Sequence, residues 1–295
     1  MTSVISIKER SPRWVRDAAI VATRGYGRMT SRARTVPDFL IIGTKRGGTT
    51  SLFNYQMMHP GVLGLFPRPR LQKSTDYFFK GFGRGERWYR SNFHTQAFRE
   101  RMAEQLGYQP LAGEASPYYC WDPRIARRAY DVNPEIKAIM LVRNPVERAF
   151  SHWQERVHNG VEPLGFEQAL AAEEARTEGE LERMSADPLY YSQAHDWYTY
   201  RSRGVYLPQI ENWTSVFPAE QLLVVCSEEL YGDVQGTFDR VSAFLGLPPH
   251  TLPTTRTFNA SRRLPMPEAA REELTAYYEP HTKALGEYLR RPLPW

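Results

Sequence analysis

The chain has two cysteines, Cys120 and Cys226, in 295 residues. Two cysteines support neither a disulfide framework nor a cysteine-rich metal site. Cys226 lies in the apolar run QLLVVCSEEL and reads as a buried strand residue. No stretch approaches the roughly 18 continuous apolar residues of a membrane-spanning helix, and the first residues lack the apolar core of a secretory signal. The expectation is therefore a soluble, cytoplasmic protein. Internal repeats and low-complexity tracts are absent as well. Acidic charge is in short supply: 33 Asp and Glu face 38 Lys and Arg, a net charge of +5 that suits an anionic ligand. Much of the excess sits in residues 1–35, where Lys8, Arg10, Arg13, Arg16, Arg24, Arg28, Arg32 and Arg34 face only Glu9 and Asp17. This segment reads as a solvated basic extension, with a peripheral contact to an anionic membrane surface left open. No recognised nucleic-acid-binding motif accompanies it, so no nucleic-acid partner is expected.

Hydrophobic residues make up 41% of the chain and aromatic ones 13%, ample for a packed core. Three short apolar runs, DFLIIG, IKAIMLVRNP and QLLVVCSEEL, read as strands buried on both faces. Helical spacing follows them in residues 49–58 and 234–248, and in a charged C-terminal stretch broken or kinked at Pro280. Strands alternating with helices predict an α/β, P-loop-like three-layer fold, a central parallel sheet flanked by helices. Residues 36–295 read as one domain, and about 155–205 as an insertion over the site, rich in Ala and Glu and then in aromatics.

The stretch PDFLIIGTKRGGTTSLF combines an apolar strand, a glycine-rich turn and a helix start, the layout of a phosphate-binding loop. In nucleoside triphosphatases this loop runs G-x-x-x-x-G-K-[ST]. Gly43, Gly48 and Thr50 keep that spacing, but Thr49 stands where the lysine belongs and Lys45 comes four residues early. The lysine that serves the β- and γ-phosphates is missing, and no apolar strand ends in an aspartate that could hold magnesium, so γ-phosphate chemistry is disfavoured. Gly47 and Gly48 let backbone amides approach oxygens, Thr49, Thr50 and Ser51 supply hydroxyls, and Lys45 and Arg46 supply charge. Farther on, Arg143 follows a strand and Ser151 sits two turns into the next helix, on the same sheet edge. An arginine and a serine so placed can hold a second, separate phosphate. The pattern suits a nucleotide phosphorylated at two places.

TKRGGTTSLF resembles the 5′-phosphosulfate loop of sulfotransferases that use 3′-phosphoadenosine 5′-phosphosulfate (PAPS), and IMLVRNPVERAFSHW resembles their 3′-phosphate strand and helix. The similarity is to the carbohydrate, heparan sulfate-type and bacterial branch. It extends through KSTDYFF, GEASPYY, YLPQIENWTSVFPAEQLLVVCSEEL and FNASRRLPMPEAAREELTAYY. It implies that Lys45, Arg46, Gly47, Gly48, Thr49, Thr50 and Ser51 hold the 5′-phosphosulfate and that Arg143 and Ser151 hold the 3′-phosphate. It also implies that Arg262 and Arg263 close over the nucleotide, and that Lys45 neutralises the leaving oxygen. A sulfuryl group then passes in line from PAPS to a hydroxyl of a glycan, glycolipid or related small acceptor, and no metal is required.

The resemblance also has gaps. Heparan-type members carry K-E-x-H-[FY]-F, whose glutamate is the usual base; here the motif is Lys73-Ser74-Thr75-Asp76-Tyr77-Phe78. Asp76 is the first candidate to replace that glutamate, and Glu114 of GEASPYY the second. Ala115 stands where the animal enzymes have a lysine, a charge that Lys73 could supply. Tyr190, Tyr191, Trp197, Tyr198 and Tyr200 could stack on a sugar or pack in the core, and both readings stay open. The rival functions are a P-loop kinase-like phosphotransferase and a non-catalytic nucleotide- or glycan-binding protein, for which the missing glutamate argues.

Overall fold

The structure, a computed structural model, describes residues 13–67, 72–256 and 265–295. Five parallel strands form one sheet: β1 (Phe39–Gly43), β2 (Val62–Leu63), β3 (Leu111–Ala115), β4 (Lys137–Val142) and β5 (Leu222–Cys226). Their order across the sheet is β2-β3-β1-β4-β5. β1 lies between β3 and β4, with Leu40 opposite Glu114 on one side and Ala138 on the other. The loop that follows β1 therefore leaves the middle of the sheet, where ligands of open α/β sheets bind.

The alternation of side chains along each strand explains the layers. Leu40, Ile42, Ala138, Met140, Val142 and Cys226 pack on one face with Ile125, Ile210 and Trp213. Phe39, Ile41, Ile139, Leu141 and Val225 pack on the other with Leu52, Phe53, Phe238 and Val241. Each strand thus reads as an unbroken apolar run because both of its faces are covered. The expected three-layer α/β architecture is the one found.

Sequence reasoning located β1, β4 and β5 but not β2 or β3. β2 is two residues long. β3 reads LAGEA, with a glycine where a Cβ would lie 2.2 Å from the Phe39 ring and a fully buried glutamate, so it lacks the β-branched signature of a strand. The C-terminal helix, Glu268–Leu289, runs through Pro280 as one element; Leu274, Tyr278 and Leu285 bury it on both sides of the proline.

The insertion forms the short helices Phe166–Ala171, Glu173–Thr177, Glu180–Ala186 and Gln193–Trp197. Phe166, Leu170 and Tyr200 pack with Phe150 of the helix Pro145–His158 and with Leu274 and Tyr278 of the C-terminal helix. Within residues 13–35 the solvated extension gives way to a helix, Arg13–Met29, tied to the body of the molecule. Arg24 donates to Phe66 O and to Asn92 Oδ1, while the buried Arg34 donates to Phe93 O and lies 4.0 Å from the Phe66 ring centre.

Candidate active site

The glycine-rich loop is shaped by contacts that only small residues permit. A Cβ on Gly47 would lie 3.0 Å from the Leu141 carbonyl oxygen, and Gly48 adopts φ +90°, a conformation open to glycine. Gly47 N donates to Thr44 O at 2.9 Å, and Ser227 Oγ, at the start of the helix Ser227–Gly232, donates to Gly47 O at 2.6 Å. The helix Thr49–Gln56 begins directly after Gly48, and no side chain caps it. Its positive end and the first-turn amides are thus turned toward the loop's concave side, a ready anion site.

Around that end stand the cations that the sequence singles out. Lys73 Nζ donates to Thr50 Oγ1 at 2.8 Å and to Thr49 Oγ1 at 3.3 Å, which brings the KSTDYFF turn onto the loop. Lys45 lies 3.8 Å from Glu155 Oε2. Burial pulls the Lys45 ammonium down to about 8, against the opposing pull of Asp196 and Glu155. Burial lowers Lys73 to about 8 too, opposed by Asp76 and Glu155. Two partly desolvated lysines, both facing Glu155, are what an anion of high charge density would recharge. Arg46 Nε donates to Ser151 Oγ at 2.9 Å and Arg143 Nη1 donates to Arg46 O at 3.1 Å, so the two proposed phosphate sites adjoin across the β1–β4 edge. Asn144 supports this edge by capping the helix Pro145–His158 with its side chain, 3.0 Å from Val146 N. Ser51 Oγ pairs with Tyr231 OH at 3.2 Å. Arg262 and Arg263 lie outside the described residues.

The two carboxylate candidates separate cleanly. Glu114 is fully buried and accepts from Thr75 N at 2.6 Å, Tyr89 OH at 2.8 Å and Tyr119 OH at 2.9 Å. Burial raises its pKa, and those bonds work against the rise. A carboxylate so enclosed cannot reach an acceptor; Glu114 instead fixes the turn that carries Lys73 and Asp76. Asp76 sits on the open side of that turn, at φ +53°, and lines a cavity of about 430 Å³. Ser74 Oγ donates to Asp76 Oδ1 at 2.6 Å and accepts from Asp76 N at 3.0 Å. Oδ2 takes no hydrogen bond among the described residues. The residue at the family's glutamate position thus clamps the carboxylate two positions on.

The insertion's aromatics split between the readings. Tyr200 is fully buried and donates to Glu162, and Tyr191 donates to Asp196 at 2.7 Å; these are packing residues. Tyr190, Trp197 and Tyr198 are half-buried. Sequence reasoning did not single out Glu155, Asp196 or Arg203, which set the charge around Lys45, nor Ser227 and Tyr231, which hold the loop. Glu155, one turn past Ser151, carried a spacing signal; Ser227 and Tyr231 sit beyond β5, and only the fold brings them to the loop.

The sulfotransferase domain family matches residues 123–283 of the chain, more than half of its length. A crystallised sulfotransferase from Alicyclobacillus acidocaldarius is 30% identical, with a TM-score of 0.63 over 87% of this chain and 97% of that one. The chain belongs to the sulfotransferase family. Among curated proteins, this sulfotransferase is 27% identical over 286 residues to the heparan sulfate glucosamine 3-O-sulfotransferase 6 of Mus musculus, covering 89% of this chain and 74% of that protein. It is also 27% identical over 299 residues to the bifunctional heparan sulfate N-deacetylase/N-sulfotransferase 4 of the same species, of whose length it spans 32%. As a sulfotransferase it takes its sulfuryl group from PAPS. The site fits such a donor: an uncapped helix start behind a positive-φ glycine, two half-buried lysines and paired threonine hydroxyls answer a 5′-phosphosulfate. Among the described residues of the sulfotransferase, no group of three or more His, Cys, Asp or Glu side chains is placed to hold a metal ion, and no helix is long and apolar enough to cross a membrane.

Proposed function

We propose that the enzyme sulfates a hydroxyl of a carbohydrate acceptor, with Asp76 as the general base. The observation that carries this reading is the Ser74–Asp76 clamp. It occupies Oδ1 of a residue that lines the cavity and acts electrostatically on Lys73. The acceptor class rests on the heparan sulfate-type relatives, whose names specify glucosamine sulfation.

Bound in the loop, PAPS supplies a sulfuryl group whose bond to a phosphate oxygen breaks as a bond to the acceptor oxygen forms. The first-turn amides, Thr49 and Thr50 bind and orient the 5′ end, and Arg143 with Ser151 binds the 3′-phosphate. Lys45 places positive charge where negative charge builds on the departing oxygen, and Lys73 holds the transferred group between loop and turn. Asp76 takes the acceptor proton on Oδ2, while Ser74 holds Oδ1.

The test is transfer of label from PAPS to a panel of saccharides by the wild type and by Asp76→Asn, Ser74→Ala and Lys45→Ala, with binding of 3′-phosphoadenosine 5′-phosphate (PAP) measured in parallel. The reading expects Asp76→Asn to lose turnover while keeping PAP affinity. Full turnover in Asp76→Asn would remove Asp76 as the base, and absence of any labelled saccharide with the wild type would remove the acceptor class.

A further inference from the structure

The interior beside the donor site holds charged side chains that the proposed chemistry does not use. Arg148 and His152 stand one turn apart on the inner side of the helix Pro145–His158, and both are fully buried. Arg203, in the turn Ser202–Gly204 that packs on this helix, is fully buried as well. Arg148 Nη2 donates to Tyr200 O, while its Nε and Nη1 have no hydrogen-bond partner among the described residues. The Tyr278 hydroxyl acts on Arg148 too, but gives its own proton to Arg201 O at 2.6 Å. Arg203 Nη2 donates to Asp196 O at 3.1 Å and to His195 O at 3.2 Å, and its Nε and Nη1 are likewise without partners. Neither nitrogen of His152 has one, and its ring centre lies 5.0 Å from that of Tyr200. Negative charge is scarce here. Asp196 Oδ1 lies 3.6 Å from Arg203, whereas Arg148 forms no ion pair among the described residues. The charges that act most strongly on His152 are all cations: Lys45, Arg203, Arg148 and Arg156. Burial first, and then these cations, hold its imidazole well below the ordinary value. A buried guanidinium with neither a carboxylate nor a full set of acceptors is costly, because the loss of its hydration is offset only by pairing.

We propose that Arg148 and Arg203 enclose a small monovalent anion, a halide such as chloride, with the His152 ring beside it. The free Nε and Nη1 groups of the two arginines supply the donors, and a neutral imidazole adds one more. A buried water would satisfy some of these donors but leave the Arg148 charge uncompensated; an anion does both. Full burial of all three side chains limits the ligand to about the size of a single ion and excludes a nucleotide or a sugar. The site is separate from the donor loop. Ser151, next to His152 on the same helix, is half-buried and accepts from Arg46 Nε at 2.9 Å, whereas Arg148 and His152 lie on the helix's covered side. The ion would join three elements: this helix, the end of the insertion at Tyr200 and the turn that carries Arg203. It thereby holds the helix that presents Ser151 against the insertion.

The experiment has two readouts, both on the full chain with saturating PAP, so that the donor site is filled and added halide does not act there. In crystals of the PAP complex soaked in sodium bromide, the anomalous difference map should show a peak in contact with the guanidinium groups of Arg148 and Arg203. In solution, replacing sodium gluconate by sodium chloride at constant ionic strength should raise the melting temperature by about 2 °C or more and then level off as the site fills. The rise should be lost in Arg148→Met, which removes the charge and keeps most of the volume. Density at the site without a bromide signal, the mark of an ordered water, overturns the proposal, as does equal melting of the wild type in the two salts. A rise that climbs linearly without levelling off, or persists in full in Arg148→Met, overturns it too, because salts that act by exclusion from the protein surface behave in that way. If Arg148→Met does not fold, the bromide map of the wild type decides alone. Failure of PAP to bind is seen separately by calorimetry and counts against the donor site; bromide at Arg148 and Arg203 is then read in crystals of the ligand-free protein.

Discussion

At the scale of single residues, the proposed base is Asp76, two positions past Ser74, and Lys45 and Lys73 are the cations placed around the loop. Ser74 cannot take a proton unaided, but it bonds Asp76 twice, and the αL conformation of Asp76, costly for a non-glycine residue, is held by that clamp. Asp76→Asn should lower kcat by roughly 10² to 10⁴, the usual worth of a positioned base, with PAP affinity unchanged by calorimetry. Ser74→Ala should lower kcat less, since it loosens Asp76 without removing it. The lysines carry the pH dependence. Lys45 and Lys73 titrate near 8 in the ligand-free protein, below the ordinary 10.5, because burial disfavours their charge. Between those values the unfolded chain binds more protons than the folded one, so ligand-free stability from these groups rises as pH climbs from 8 toward 10.5. Donor binding has the opposite sign: it needs the charged lysines, and PAP affinity should fall as pH passes 8. Lys45→Met should melt higher than wild type at pH 7 without ligand, the gap should narrow above pH 8, and the variant should bind PAP more weakly. A wild type that melts higher than Lys45→Met at pH 7 would contradict the desolvation of Lys45.

At the scale of elements, the loop works because three neighbours hold it: β4 beneath, the helix Ser227–Gly232 beside it and the Lys73 turn above. Gly48→Ala places a Cβ at φ +90° and 3.1 Å from Tyr231 OH. It should cost roughly 1–2 kcal/mol of stability and weaken PAP binding, measurable by denaturant unfolding and calorimetry. The loop and the Arg143–Ser151 pair were legible in the sequence because glycines, hydroxyls and cations crowd into short windows whose spacing fixes their geometry. β3 was not legible, since LAGEA has no strand-like pattern, and its contribution is made through three-dimensional contacts: Glu114 holds Thr75 N, and Ala115 N donates to Lys73 O at 2.7 Å. Glu114 looked like a second candidate for the base because its place in the fold was equally hidden. Nothing in a linear motif tells a buried carboxylate with three donors from one facing solvent.

At the scale of the whole molecule, the two-sided core fixes the sheet, and the sheet edge gathers pieces far apart in sequence: residues 43–51, 73–78, 143–155 and 227–231. The core should be sensitive as a unit. Trp213, fully buried on one face with Ile210 and Phe217, should cost roughly 3–5 kcal/mol as Trp213→Ala in equilibrium unfolding. The described N-terminal segment, which composition alone reads as a solvated tail, is anchored by Arg24 of its helix and by Arg34 beyond it, because these cations find carbonyl oxygens and rings on the body of the protein. Family membership fixes the donor.

The central claim is that the displaced lysine marks a site for a nucleotide phosphorylated at two places, with Asp76 beside it. The most direct measurement is thermal stabilisation by PAP set against ADP and against ATP with magnesium, in the wild type, Arg143→Ala and Asp76→Asn. A ligand that binds only the folded state raises the melting temperature by mass action. The account predicts a large shift with PAP, little with the other two nucleotides, loss of most of the shift in Arg143→Ala and retention in Asp76→Asn. A shift with magnesium-ATP equal to that with PAP, or a PAP shift untouched by Arg143→Ala, would contradict it.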